Sequence, residues 1–319
     1  MTRSAPQWDS RIGRRVRLRD LHIFFAVIEH KSMARAAVHL GIAQPSVSEA
    51  IADLEHAVGV QLLDRSRQGV LATAYGRALQ HRGQAAFDEL RQGIRDIEFL
   101  ADPTVGELRI SCPETLTAGY LPAVIDKLAK KYPRIVFRVI QSNTESQFRD
   151  LRERSVDLAL ARLTKPLDDD DLEAKPLFDD QVFIVASASH DLARRRKVKF
   201  SELADEPWIG LPPDNDASSF IAEAFEASGV ELPEPTVVTF SQHLRFHLLA
   251  KGRYLTALPA SVLRFNSDHF SLKSLCVNLP FRPRPVAVVT LKNRLLSPVA
   301  TMFVEYAVEV AKTLVANRS

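Results

Sequence analysis

The stretch SMARAAVHLGIAQPSVSEAIADLEHAVG, Ser32 to Gly59, decides how the first part of the chain folds. Ser32 is a good N-cap for a helix from Met33 to Leu40, and Gly41 suits its C-terminal stop. Pro45 fits the first turn of a following helix, where its missing N–H costs nothing. That helix runs to about Val58 and ends at Gly59, with Val47, Ile51 and Leu54 marking its inner face. Its opening edge is different. Gln44, Ser46 and Ser48 are short or flexible hydrogen-bonding side chains. In a helix-turn-helix the second helix enters the DNA major groove by its N-terminal residues. There Gln44 can bond adenine N6 and N7, and Ser46 and Ser48 can reach bases or phosphates. The helix start itself favours a phosphate, and Pro45 keeps backbone bulk low beside the groove wall.

The flanks fit the same reading. Upstream, Leu18, Leu21, Phe24, Phe25 and Ile28 recur at helical spacing. Arg11, Arg14, Arg15, Arg17 and Arg19 crowd the N-terminal end, and Arg35, Arg65, Arg67 and Arg77 follow, although the whole chain carries only +3. A basic end on a near-neutral chain points to a polyanion partner for that end. Downstream, VQLLDRSRQGVLATAYG reads as a hairpin wing with Leu62 and Leu63 inward and a turn at Gln68-Gly69. Thr73 opens a long helix to about Leu100. Leu79, Gly83, Ala86, Leu90, Ile94 and Ile97 form its apolar stripe, which predicts pairing with a second copy of the chain.

The pattern changes after ADPTVG. From Glu107, strand and helix alternate as βαβαβ, the mark of a mostly parallel sheet. The segment from 171 crosses into a second lobe, and the last strand and helix, from about 280, return to the first. The expected organisation is therefore a basic arm (1–17), a winged helix-turn-helix (18–76), a linker helix (77–101) and a two-lobed α/β domain (107–319). Lobe I comprises about 107–170 and 280–319, and lobe II about 171–279.

Composition excludes several classes. The chain has 319 residues, 46% of them hydrophobic and 25% charged, which suits globular domains. No apolar run approaches the ~18 residues of a membrane helix, and the N-terminus lacks the apolar core of a secretory signal. A cytoplasmic protein is expected. Cys112 and Cys276 sit in apolar, strand-like stretches and read as buried thiols. His243 and His247 lie one helical turn apart, but HLRFH is not a metalloprotease motif, and LDDDDLEA reads as a solvated acidic loop. No metal or cofactor is expected.

SMARAAVHLGIAQPSVSEAIADLEHAVGVQLLDR, followed by Thr73 and Gly76, resembles the winged helix-turn-helix of LysR-type transcriptional regulators. The shared positions are Ser32, Ala36-Ala37, Leu40, Gln44-Pro45, Val47-Ser48, Ile51, Leu54-Glu55, Gly59, Leu62 and Arg65. The order of head, linker helix and two-lobed domain resembles that family over the whole chain. The resemblance implies a sequence-specific, non-enzymatic DNA-binding regulator, dimeric through the linker helix and often tetrameric, on dyad-symmetric promoter DNA. It places Gln44, Pro45, Ser46 and Ser48 at recognition positions, Ser32 and Arg35 at phosphate contacts, Arg65 at the close of the third-helix region and Arg67 in the wing. The chain departs from the pattern at Ala43, where a capping serine or threonine is common, and at Glu49, where an arginine is common. A carboxylate there is unfavourable beside phosphates unless it accepts from a cytosine N4.

The family's C-terminal domain resembles periplasmic binding proteins and holds a small effector in its cleft. In such a fold, ligands bind beyond the carboxyl ends of strands. Those positions are Thr115, Ser142, Asn143 and Arg162 in lobe I, and Gly210 and Ser241 in lobe II. Hydroxyls and backbone N–H groups there suit an anion, and Arg162 is expected to pair with it, which favours an organic acid. Glu114 would suit an amine or hydroxyl instead. Two other classes compete: a transport solute-binding protein, which the head and missing signal oppose, and a cleft enzyme, for which no nucleophile elbow, Gly-rich phosphate loop or metal cluster exists.

Overall fold

The computed structural model describes residues 15–66, 69–163, 166–212, 216–279 and 283–316; the side chains of residues 65–66, 216–220 and 315–316 are not described. Arg11, Arg14, Arg67, Gln68 and Pro213 thus lie outside the described residues. The chain divides into two units, Met1–Arg91 and Gln92–Ser319.

The first unit opens with α1 (Leu18–His30), α2 (Met33–Leu40) and α3 (Gln44–Val58). Ser32 caps α2 by accepting from the Arg35 N–H at 3.3 Å. Gly41 and Gly59 end α2 and α3 with φ of 65° and 78°, a conformation in which a side chain would be strained. Phe24, Ala36, Val47, Ile51 and Leu54 are fully buried and lock the three helices together. The larger of these, Phe24, Val47, Ile51 and Leu54, contribute roughly 1.5–3 kcal/mol each.

The wing is a two-stranded antiparallel hairpin, β1 (Leu63–Ser66) and β2 (Gly69–Ala72). Two side chains hold it. Glu55 of α3 accepts from the N–H groups of Leu62 (2.7 Å) and Leu63 (3.1 Å). Thr73 donates to the Gln61 carbonyl and accepts from the Gly76 N–H at 3.0 Å, so it caps α4 (Ala74–Ala101). A Cβ on Gly76 would sit 2.1 Å from the Leu62 carbonyl oxygen. The spacing of Glu55, Thr73 and Gly76 is therefore wing-to-helix carpentry.

The stripe on α4 splits in two. Leu79 packs on the head core, and Gly83 lets the Phe25 ring approach where a Cβ would be 2.7 Å away. Leu90, Ile94, Ile97 and Leu100 are exposed, from 49% to 78%.

The second unit holds a five-stranded sheet in the order β4 (Arg134–Gln141), β3 (Val105–Cys112), β5 (Leu158–Arg162), β12 (Arg284–Leu291), β6 (Leu172–Asp180), and a three-stranded sheet in the order β10 (Thr256–Pro259), β7 (Val182–Ser187), β11 (Leu272–Ser274). β3, β4 and β5 are parallel, while β12 runs antiparallel to β5 and to β6. Leu158 and Leu160 face one core and Ala159 and Ala161 the other, as a strand covered on both faces requires. Helices α5 (Glu114–Thr117), α6 (Tyr120–Lys131) and α7 (Thr144–Arg152) follow β3 and β4, and α12 (Pro298–Ala316) closes the lobe.

The lobe crossing comes later than the sequence suggests. Residues 172–180 remain in the first sheet, because β6 pairs along all of β12. The second lobe then runs through β7 (Val182–Ser187), α8 (Phe200–Ala204), β8 (Ile209–Gly210), α9 (Asp216–Ala227), β9 (Val237–Val238), α10 (Gln242–Leu249), β10 (Thr256–Pro259), α11 (Ala260–Phe270) and β11 (Leu272–Ser274). β11 stops at Ser274, so Cys276 lies past the strand and is exposed, contrary to the expected buried thiol; Cys112 is buried as expected.

Candidate functional site

The first site is the start of α3. Val47, Ala50, Ile51 and Leu54 turn into the head core, which forces the opposite side of the helix outward. That outward side begins with exposed Gln44 and Pro45 and continues to exposed Glu49; Ser46 and Ser48 are half-buried. The Gln44 amide donates to Ser48 Oγ at 3.3 Å, so the two are already aligned side by side. Ala43 stands at the N-cap and supplies no side-chain bond. The peptide dipoles at this helix start consequently face outward without a built-in acceptor.

The arginines assigned to phosphates are placed unevenly. Arg35 is exposed on α2, one turn from the Ser32 cap. Arg65 lies in β1 opposite Val70. The wing is tied to the α1–α2 turn, where Lys31 has φ of 51° and its carbonyl accepts from the Val70 N–H at 3.1 Å. Nothing in the sequence singled out Lys31; a left-handed lysine between two helices leaves no composition signal. α3 itself contains no lysine or arginine, so attraction to a polyanion must come from its flanks.

The second site is the cleft between the lobes, and here the residues satisfy one another. Glu114, which opens α5 just after β3, accepts from the Gln242 N–H at the start of α10 at 2.7 Å. Ser241 caps the same helix by accepting from the Leu244 N–H at 3.3 Å. The anion-favouring start of α10 is thus filled by a carboxylate of the opposite lobe. Arg245, one turn along, is 2% exposed and donates to Thr256 Oγ1 and the Ala257 carbonyl. Burial pulls its pKa down to about 10, with the Glu114 charge working against the drop.

Arg162 is likewise engaged. It pairs with Asp180 and donates to Thr115 Oγ1 at 2.9 Å, while Asp180 accepts from the Ser261 N–H (3.0 Å) and hydroxyl (2.6 Å) of α11. A ligand pairing with Arg162 would therefore share the guanidinium with Thr115 and Asp180; its buried Nε has no partner among the described residues. The Asn266 amide adds a bond to the Ala118 carbonyl at 2.6 Å.

The remaining expected cleft residues have local roles. Asn143 caps α7 through the Ser146 N–H at 2.9 Å. Ser142 bonds the Ser111 hydroxyl. Gly210 packs on Pro235, where a Cβ would be 2.7 Å from Cγ. Thr115, Arg162, Ser241 and Glu114 come to one region through the Arg162–Thr115 and Glu114–Gln242 bonds.

A third cluster links the linker helix to lobe I. Asp157, 2% exposed, receives Arg109 at 2.7 Å and Arg294 at 2.8 Å, and Arg95 of α4 approaches to 3.7 Å. Burial pushes the Asp157 carboxyl up, but the hydrogen bonds and charge of Arg109, with Arg294, outweigh it and hold it below the ordinary value.

No described helix is long and apolar enough to cross a membrane, and no group of three or more metal-ligating side chains occurs among the described residues. Residues 18–77 match the bacterial regulatory helix-turn-helix protein, lysR family, and residues 101–312 match the LysR substrate binding domain. The chain is 27% identical over 290 residues to the HTH-type transcriptional regulator YybE of Bacillus subtilis, covering 90% of this chain and 97% of that one. A full-length OxyR variant from Pseudomonas aeruginosa shares the fold with a TM-score of 0.63 at 21% identity, covering 93% and 95% of the two chains. Full-length CbnR, solved with its target DNA, has a TM-score of 0.52 at 21% identity, covering 93% and 100%.

Proposed function

The chain belongs to the LysR family of DNA-binding transcriptional regulators with an effector-binding domain, and on that premise we propose how its residues divide the work. Gln44, Ser46 and Ser48 meet base edges at the start of α3, with Pro45 allowing close approach and Glu49 facing the same groove. Ser32, Arg35, Arg65 and Arg67 meet phosphates. The observation that carries this is the pairing of an exposed Gln44-Pro45 edge with the fully buried Val47, Ile51 and Leu54 of the same helix. Counterion release at the arginines supplies sequence-independent affinity, and the α3 edge supplies preference.

Members of this family form oligomers. For this chain the exposed Leu90, Ile94, Ile97 and Leu100 support a homodimer through α4, since such a row is covered in stable helices. A pair of such dimers, a tetramer in the cytoplasm, fits the same reading. The effector is a small organic acid in the cleft. Its carboxylate takes the place of Glu114 at the start of α10, near Ser241 and Arg245. Binding then parts Glu114 from Gln242, and the effector shifts the lobes only as far as it binds the two arrangements unequally.

A gel-shift titration of the DNA upstream of the chain's own gene tests the assignment. Retarded bands should appear at low salt and weaken in Gln44→Ala with Ser48→Ala. Equal affinity of the double variant for that DNA would sink the recognition role.

A further inference from the structure

Lobe II contains an open surface pocket of about 750 Å³ that none of the cleft residues lines. It lies beside β7 and β11, between the segment after β11, the start of α8 and the chain following α9. Phe183, Val198, Phe200, Val230, Leu275 and Val277 give it its apolar lining, and Ser201, Ser228, Ser274 and Asn278 add polar positions. Its volume falls in the range of small-ligand pockets, roughly 300–1,000 Å³.

The rim has the opposite character. Residues 194–199 read RRRKVK, and Arg194, Arg195, Arg196, Lys197 and Lys199 are all exposed. Arg195 is paired with Glu202. Lys197 and Lys199 border the pocket, and neither side chain has an acidic partner among the described residues. An apolar pocket floor under a cationic rim discriminates between ligand types. A polyanion would satisfy the rim and leave the apolar wall wet. A neutral apolar molecule would bury itself and gain nothing from the lysines. A molecule with an apolar body and one carboxylate uses both parts.

We propose that this lobe II pocket is a second small-molecule site, distinct from the cleft, for an amphipathic monocarboxylate such as a medium-chain fatty acid. The acyl chain lies on Phe183, Phe200, Val230 and Leu275, and the carboxylate reaches Lys197 and Lys199. The site does not depend on the DNA-binding assignment.

The pocket carries its own reporter. Cys276 lines it and is exposed, whereas Cys112 is fully buried and burial pushes its thiol pKa up. Iodoacetamide should therefore alkylate Cys276 in the intact chain, read as one mass increment. Octanoate, kept below its micelle range, should slow that alkylation about tenfold at saturation, and octanamide much less. Lys197→Gln with Lys199→Gln should raise the half-protecting octanoate concentration about fivefold, the scale of two exposed ion pairs, and leave octanamide unmoved. Three results would overturn the proposal. One is no protection by octanoate; another is equal protection by octanoate and octanamide. The third is protection that grows with protein concentration alone, which would mean that a second copy of the chain fills the pocket.

Discussion

Helices α3 and α10 start in opposite ways. The α3 start has Ala43 at its cap, exposed Gln44 and Pro45, and no acceptor for its dipole. The α10 start has the Ser241 hydroxyl and the Glu114 carboxylate both in place. One is left open toward an external anion; the other already holds an internal one. On the proposed assignment, DNA would meet an edge left open, whereas a cleft effector would have to displace the bond between Glu114 and the Gln242 N–H. The same contrast extends to charge: Arg35 is exposed, while Arg109, Arg162 and Arg294 of the second unit all rest on buried aspartates.

The comparison breaks most visibly where the internal charges are removed. Asp180→Ala strips Arg162 and the Ser261 N–H and hydroxyl of their acceptor. The expected loss is about 3–5 kcal/mol, as for other broken buried pairs, read by urea unfolding of the intact chain. A loss below about 1 kcal/mol would show that the cleft charges are not internally held.

Asp157 makes the same point through pH. Its folded pKa lies below the unfolded value of about 3.9. Its contribution is therefore fully present above that value and is lost as pH falls through the folded one. Stability measured downward from pH 5 should fall more steeply in the native chain than in Asp157→Asn, which starts lower. Parallel curves would contradict the assignment.

Glu114→Ala removes the carboxylate from α10 and leaves the Gln242 N–H without its acceptor. A loss of about 1–3 kcal/mol is expected, together with faster hydrogen exchange at that amide. An unchanged exchange rate would mean that the α10 start was never closed. The helix caps give smaller effects of opposite sign. Ser241→Ala should cost about 1 kcal/mol, and Ala43→Ser should gain a similar amount by supplying the missing cap. Thermal unfolding of the two variants checks both signs.

Much of the head was legible in the sequence because its determinants are local. Ser32, Gly41, Pro45 and Gly59 mark helix ends within a few residues, and the inner face of α3 repeats every turn. The cleft was not legible, because its key bond joins Glu114 to Gln242 across 128 positions. Sequence spacing offers Arg162 to a ligand; only the fold brings Asp180 to it. Helix α11 also escaped notice. It follows β10 without a loop, and fully buries only Ser261 and Val262, with Leu263 and Phe270 partly covered on the same core. Cys276 misled for a related reason, since an apolar run does not reveal where a strand stops.

The most direct test of the open α3 edge compares specific with non-specific DNA. Fluorescence anisotropy should be recorded for the upstream promoter fragment and for a scrambled fragment, with the native chain and with Gln44→Ala plus Ser48→Ala. The double variant should fold with native stability and lose about 10–100-fold on the promoter, at roughly 1–3 kcal/mol of base discrimination, with little change on scrambled DNA. An equal loss on both fragments, or no loss on either, would contradict the recognition role of the α3 edge.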